Sequence, residues 1–182
     1  MPKLFIEFSG SPLISWCLRA IQKVPFDSRI LILGDRYQDA LFSLSLMEES
    51  RGIDIIINHD FRQGMATSIK AGLSAISPDT EAILIVLSDM PFITSETMEK
   101  ILYAFQESNQ IILPVYQGNQ GHPVLIPRFY FPQIEKLEGD KGAREILQRN
   151  KEKILALSSP TPEVILDIDT KEEWLKWKNS LL

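Results

Sequence analysis

The sequence predicts an α/β fold, a mostly parallel sheet covered by helices, and three observations predict it. Short aliphatic runs recur along the chain. Stretches with apolar residues at helical spacing lie between them. Polar or glycine-containing turns separate the two kinds of segment.

The elements follow in order. Ile14, Cys17, Leu18 and Ile21 have i, i+3, i+4, i+7 spacing and fall on one face of a helix. SRILILG (28–34) and GIDIIIN (52–58) read as buried strands, each followed by a polar turn. Ile69, Leu73 and Ile76 put an apolar stripe on the next helix, and EAILIVL (81–87) is a third strand. Met98, Ile101, Leu102 and Phe105 repeat the helical pattern, with Thr94 or Ser95 as N-cap. QIILPVY (110–116) and the shorter PVLIP (123–127) are further strands, and EVILDID (163–169) is the last. Thr170 and Glu173 have capping-box spacing and open a final helix whose Trp174, Trp177 and Leu181 face inward.

The 182 residues are enough for one core, and no repeat, low-complexity segment or linker divides them, so residues 1–182 are expected to form one domain. A net charge of −5 argues against a large nucleic-acid footprint. The single cysteine, Cys17, excludes an internal disulfide and a multi-cysteine metal site, and makes a reducing cytoplasm the expected setting. No apolar run approaches the roughly 18 residues of a membrane span, and MPKLFIEF lacks the features of a signal peptide.

In sheets of this kind ligands bind beyond the carboxyl ends of the strands. ILIVLSDMPFIT places Ser88 and Asp89 at such an end. Asp89 there is either a ligand for a hard cation such as Mg²⁺ or a cap for the turn before Pro91; position alone does not choose. In LDIDT, Asp167 and Asp169 stand two apart, on one face if the segment is a strand, and Asp169 repeats the strand-to-helix setting of Asp89. Taken alone, this pair reads more simply as turn and cap residues.

NHDFRQGMATSIKAGL (58–73) runs from a strand end through Arg62, Gln63 and Gly64 into a helix near Met65. Free N–H groups at a helix start suit an anionic ligand, and Gly64 lets a flat group approach the backbone. An ordinary glycine loop is the alternative. GNQGHPVLIP (118–127) and EGDKGAREIL (138–147) carry His122 and a helix start where Asp140 is a cap, with Lys141 and Arg144 in the first turn. Cations at that end are disfavoured by the helix dipole, so they point either to an anionic ligand or to solvated surface. No Ser/His/Asp or Cys/His arrangement stands out, and two histidines do not make a His-rich zinc site.

Taken together, PKLFIEFSGSPLISW, NHDFRQGMATSIKAGL, LSDMPFIT, GNQGHPVLIP, GDKGAREIL and LDIDTKEEW, in this order, resemble the MobA-like nucleotidyltransferases. GHPVL with GDKGAR resembles the molybdenum cofactor cytidylyltransferase branch. The resemblance covers nearly the whole chain. It implies a three-layer Rossmann-like sandwich with a mostly parallel sheet, of the nucleotide-diphospho-sugar transferase kind. It implies transfer of CMP from CTP, or of the GTP-derived nucleotide in sister enzymes, to molybdopterin with release of pyrophosphate. By resemblance, Asp89 holds Mg²⁺ with help from Asp169, Lys3 contacts the phosphates, and Gln63, Gly64, Met65, Ser68 and Ser88 lie against the nucleotide. His122, Asp140, Lys141 and Arg144 face the second substrate. Such chemistry needs positioning, a cation and basic groups rather than a nucleophilic side chain.

The family begins with a strand and a loop of the form LAAGxSxRMGxxK, whereas this chain begins Met1-Pro2-Lys3. The first, central strand is therefore expected to be missing, leaving a gap in the sheet and exposed edges. Two accounts compete. Met1 is the methionine of the Arg-Met pair and the natural chain is longer, or the chain is a truncated paralogue that binds a cofactor or a molybdenum hydroxylase without catalysis. Transfer to another phosphorylated acceptor is a third reading.

Overall fold

The computed structural model describes residues 3–181, with side-chain surroundings through residue 178. Met1 and the inward-facing side chain expected at Leu181 lie outside these. An antiparallel hairpin, β1 (Glu7–Phe8) and β2 (Ser11–Pro12), turns through Ser9 and Gly10 and leads into α1 (Leu13–Gln22). Next come β3 (Ile30–Leu33), α2 (Tyr37–Ser45), β4 (Asp54–Ile57), α3 (Met65–Ser74), β5 (Ala82–Ile85) and α4 (Ser95–Ser108). They are followed by β6 (Ile111–Tyr116), β7 (Asn119–Gln120), β8 (Val124–Pro127), α5 (Phe131–Ile134), α6 (Arg144–Arg149), β9 (Ile154–Ser158) and α7 (Lys171–Leu181).

The architecture is the expected Rossmann-like sandwich. Alternation along the strands sends successive side chains to opposite helical layers. Ile83, Ile85, Leu113, Val124 and Ile126 pack with Ala66 of α3, Ile134 of α5 and Ile146 of α6. The residues between them, Leu84, Ile112 and Leu125, pack with Ile101 and Leu102 of α4. Helix α4 starts as its sequence dictates: the Thr94 hydroxyl accepts from the Thr97 N–H at 3.2 Å.

The sheet is mixed. β3 pairs with β4 and β6 with β9 in parallel, whereas β8 runs antiparallel to both β5 and β6. Among the described residues β3–β4 form one sheet, and β5, β8, β6, β7 and β9 form another. Asn58 extends the first ladder, donating its N–H to the Leu33 carbonyl at 2.7 Å.

Two assignments are corrected. EVILDID is not a strand: Pro162, which has no N–H, opens a short 3₁₀ helix over Pro162–Ile165, and the segment beyond it is irregular. The Val164 carbonyl accepts from the His122 N–H at 2.8 Å, and Glu163 is buried under the hydroxyls of Thr161, Thr97 and Ser159. The last strand is instead β9, whose start is crowded by Lys151, Glu152 and Lys153. Trp174 is buried as expected, against Phe8, Trp16 and Phe92, while Trp177 is half-buried. Cys17 is buried, and burial pushes its thiol up to about 12.

Candidate active site

The carboxyl end of β5 leads through Ser88, half-buried, into Asp89 and a buried turn of Met90, Phe92 and Ile93. Because those three side chains are anchored in the core, the backbone at Asp89 is fixed from below. The Asp89 carbonyl accepts from the Ile168 N–H at 2.9 Å, which pins the segment before α7 to the end of β5. Asp169 follows and is fixed by the start of α7. Glu173 accepts from the N–H groups of Asp169 at 2.8 Å and Thr170 at 2.9 Å, and the Thr170 hydroxyl accepts from the Glu173 N–H at 3.2 Å. The expected capping box therefore also positions Asp169.

Asp89 and Asp169 converge on one cation. Lys3 Nζ donates to Asp169 Oδ1 at 2.5 Å and to Asp89 Oδ2 at 3.2 Å. Partial burial pulls the Lys3 ammonium down, but the hydrogen bond to Asp169 and the charge of Asp89 outweigh it, and its pKa is raised. Asp167, two residues before Asp169, is exposed. The shared strand face proposed for the two does not exist, because the segment is not a strand; the Ile168 hydrogen bond brings Asp169 to Asp89 instead.

His122 belongs to this cluster. It follows Gly121, where a Cβ would lie 2.8 Å from the Val164 carbonyl carbon, so only glycine allows this close approach. The peptide from His122 to Pro123 is cis. Burial lowers the pKa of the imidazole, opposed by a hydrogen bond to the Ile85 backbone and by the Asp89 charge. Its Nδ1 is buried without a hydrogen-bond partner among the described residues.

The second cluster forms around the start of α3. Gln63 sits in a 3₁₀ turn and donates to Asp60 Oδ1 at 2.8 Å. Gly64, at φ 109°, lies against the other glycine loop: a Cβ there would meet the Asp140 nitrogen at 2.7 Å. Asp140 was expected to cap the helix that carries Lys141 and Arg144. It sits instead in the turn Gly139–Lys141, and its carboxylate accepts from the Met65 N–H of α3 at 3.1 Å, because the two glycine loops are in contact. Lys141 pairs with Glu145 at 3.8 Å and Arg144 is exposed at the start of α6.

Asn58, expected only as a strand end, organises this region. Its buried amide donates to the hydroxyls of Thr67 at 2.8 Å and Ser68 at 3.0 Å and accepts from the Asp60 N–H at 2.9 Å. Ser68 is thus turned toward Asn58. An asparagine closing an aliphatic strand, nine and ten residues before two hydroxyls, is the available signal. Lys3, Asp89, Asp169 and His122 therefore gather at the end of β5, while Gln63, Gly64, Met65, Ser68, Asp140 and Lys141 gather at the start of α3.

The chain is similar to known proteins. Residues 1–154 match the model of a family described as MobA-like NTP transferase domain. The chain is 31% identical over 126 residues to the molybdenum cofactor cytidylyltransferase of Escherichia coli (strain K12), over 69% of this chain and 62% of that protein. It thus spans less than two thirds of that relative's length. It is 24% identical over 180 residues to the nicotine blue oxidoreductase of Paenarthrobacter nicotinovorans, over 94% of this chain and 85% of that protein. The crystal structure of Rv0371c in complex with manganese, from Mycobacterium tuberculosis H37Rv, shares the fold with a TM-score of 0.80 at 23% identity, over 98% of this chain and 92% of that one.

Proposed function

The chain belongs to the MobA-like NTP transferase family, and from that premise we propose that it transfers CMP from CTP to the phosphate of a molybdopterin-type cofactor, releasing pyrophosphate in a Mg²⁺-dependent reaction. The observation that carries this reading is the convergence of Asp89 and Asp169 on a single cation position. Two carboxylates with open positions for water and phosphate oxygens are the donor set that Mg²⁺ favours. Among the described residues no group of three or more His, Cys, Asp or Glu side chains is placed to hold a metal ion. The residues fit the group, and Asp89 and Asp169 would hold it; the manganese in the Rv0371c complex agrees with a divalent site in this fold. When bound, the cation supplies charge neutralisation across the triphosphate.

The chain's own residues do the rest. Lys3, already charged beside both carboxylates, binds phosphate oxygens and stabilises the charge that develops as the bond from the α-phosphorus to the bridging oxygen breaks. The acceptor phosphate is itself ionised, so an acceptor oxygen attacks without a protein base, and pyrophosphate leaves with the electron pair. The capping box at Thr170 and Glu173 holds Asp169 in place while this occurs. The loop from Gln63 to Ser68 would meet the nucleotide, and Lys141 and Arg144, both exposed, would meet the anionic acceptor. The 31% identity to a cytidylyltransferase supports CTP and molybdopterin over GTP or another phosphorylated acceptor. A cytoplasmic setting fits the single buried cysteine.

A second reading, a binding module for a cofactor or a molybdenum hydroxylase without catalysis, draws on one observation: Lys3 already neutralises both candidate metal ligands. One experiment separates them. Pyrophosphate release from CTP, Mg²⁺ and molybdopterin should be measurable in the unaltered chain and lost in Asp89→Ala. Equal turnover in that variant would refute the metal role. Cofactor binding that needs no nucleotide and survives Asp89→Ala would favour the module.

A further inference from the structure

Glu163 is 5% exposed, and the proposed chemistry does not use it. Its side-chain partners are hydroxyls. Oε1 accepts from Thr97 at 3.4 Å and from Ser159 at 3.3 Å, and Oε2 accepts from Thr161. Among the described residues no lysine, arginine or histidine forms an ion pair with it. Burying a carboxylate costs free energy that an apolar side chain would not. What the carboxylate adds is direction, because hydrogen bonds fix where segments sit whereas apolar contacts permit sliding.

The three hydroxyls come from different parts of the chain. Thr97 is in the first turn of α4, whose dipole favours an anion, and the Thr94 cap donates to its hydroxyl at 3.2 Å. Ser159 follows β9 and is tied to β6, donating its N–H to the Val115 carbonyl at 2.8 Å. Thr161 lies in the segment that leads to Asp169. Glu163 therefore joins the helix after Asp89 to the segment before Asp169. A second contact joins the same two pieces of chain, the Ile168 N–H on the Asp89 carbonyl at 2.9 Å. Together they close a loop: from Asp89 along the chain to Thr97, across to Glu163, along the chain to Ile168 and back to Asp89. Residues 86–94 and 166–169 belong to no strand or helix, so discrete bonds of this kind, added to apolar packing, fix where the two carboxylates meet.

We propose that Glu163 is a positioning residue: its buried carboxylate clamps the start of α4 to the segment before Asp169 and so holds Asp169 beside Asp89. It acts through Ile168 and Asp169, not on substrate. The clamp rests on this geometry, and its consequence for a bound cation rests on the metal role proposed for Asp89 and Asp169.

The test compares Glu163→Met, which keeps the reach of the side chain and removes both acceptors, with Glu163→Gln, whose amide oxygen accepts and whose N–H groups donate to hydroxyls that turn round. The first readout is hydrogen exchange at the Ile168 amide, without metal, relative to the amides of β3 and β6, which report global opening. Glu163→Met should speed that exchange at least about threefold, and Glu163→Gln should leave it within about twofold. The second readout is Mn²⁺ affinity by titration of the free ion. Glu163→Met should bind about twofold to about tenfold more weakly, the change that one hydrogen bond is worth. In an Asp169→Ala background the same substitution should change affinity by less than about twofold, because the residue it positions is gone. Should Glu163→Met not fold, Thr97→Val takes its place: it is close in shape, opens the loop at the α4 end, and should speed Ile168 exchange in the same way. Unchanged Ile168 exchange would overturn the proposal. So would Glu163→Gln behaving like Glu163→Met, or equal Mn²⁺ losses in both backgrounds. Asp89→Ala separates the clamp from the site: if that variant binds Mn²⁺ as the unaltered chain does, the metal role fails, and Ile168 exchange alone decides the clamp.

Discussion

Lys3 stands between the two carboxylates proposed to hold a divalent cation, so removing its charge should raise metal affinity. The perturbation is Lys3→Met, which keeps an apolar stem of similar reach. Its ammonium makes two ion pairs, to Asp89 with both side chains 33% exposed and to Asp169 with the partner 64% exposed. Pairs this open to water contribute about 0.2–1 kcal/mol each, so an incoming cation displaces between about 0.4 and about 2 kcal/mol. Since about 1.4 kcal/mol is a factor of ten, Mn²⁺ should bind Lys3→Met about twofold to about thirtyfold more tightly in the absence of nucleotide. Electron paramagnetic titration of free Mn²⁺ at neutral pH measures this directly. Lys3 is fully charged there: its raised pKa means the pair's stabilisation is present below the ordinary 10.5 and is lost only as pH rises through the higher folded value. Lys3→Arg keeps the charge and should bind metal as the unaltered chain does. CTP turnover should fall in Lys3→Met even as metal binding improves, because the phosphates lose their cation. Mn²⁺ affinity that is equal or weaker in Lys3→Met would refute the reasoning.

Two further expectations follow from the same site. Gly121→Ala puts a methyl 2.8 Å from the Val164 carbonyl carbon and 3.0 Å from its Cβ, where only backbone movement can relieve it; stability should fall by about 1–3 kcal/mol in urea denaturation, with Mn²⁺ binding weakened because Ile168 and Asp169 lie just beyond, and an unchanged midpoint would count against the contact. His122 has a folded pKa below its ordinary 6.5 because burial disfavours the imidazolium. Its stabilisation is therefore present above 6.5 and lost as pH falls toward the lower folded value. Urea midpoints measured from pH 7 to pH 5 should decline, and His122→Gln should flatten that decline; an identical slope in both proteins would exclude this histidine as its source.

The sequence made the fold legible where one physical signal acted alone. Aliphatic runs such as SRILILG and QIILPVY became strands, and Thr170 with Glu173 formed its capping box, because period and caps are local properties. EVILDID misled because Pro162 and the buried hydrogen bond from His122 to Val164 overrode an aliphatic run. β9 was hidden because its edge position tolerates the charged residues that precede it. At the site, Asp89 and Asp169 were legible as candidates but their meeting was not. It depends on the Ile168–Asp89 backbone bond, and no pattern within either segment encodes a contact between them. The role of Asp140 was misplaced for the same reason. Sequence spacing assigns a cap to the helix that follows it, whereas contact between two glycine loops gave Asp140 to α3.

The break between β3 and β5 also sets how the site is held together. Asn58 and the start of α3 ride on the two-stranded sheet, while Asp89 rides on the other. A hydrogen-bonded ladder fixes neighbouring strands in discrete register, but side-chain packing under α1 and α3 allows small sliding steps. Leu18 and Ala20 of α1 and Ile69 and Leu73 of α3 are among the side chains that pack between the two sheets. The spacing of the two clusters proposed to form the site becomes a property tunable from the core, in the way a calliper is set by its screw rather than by its jaws.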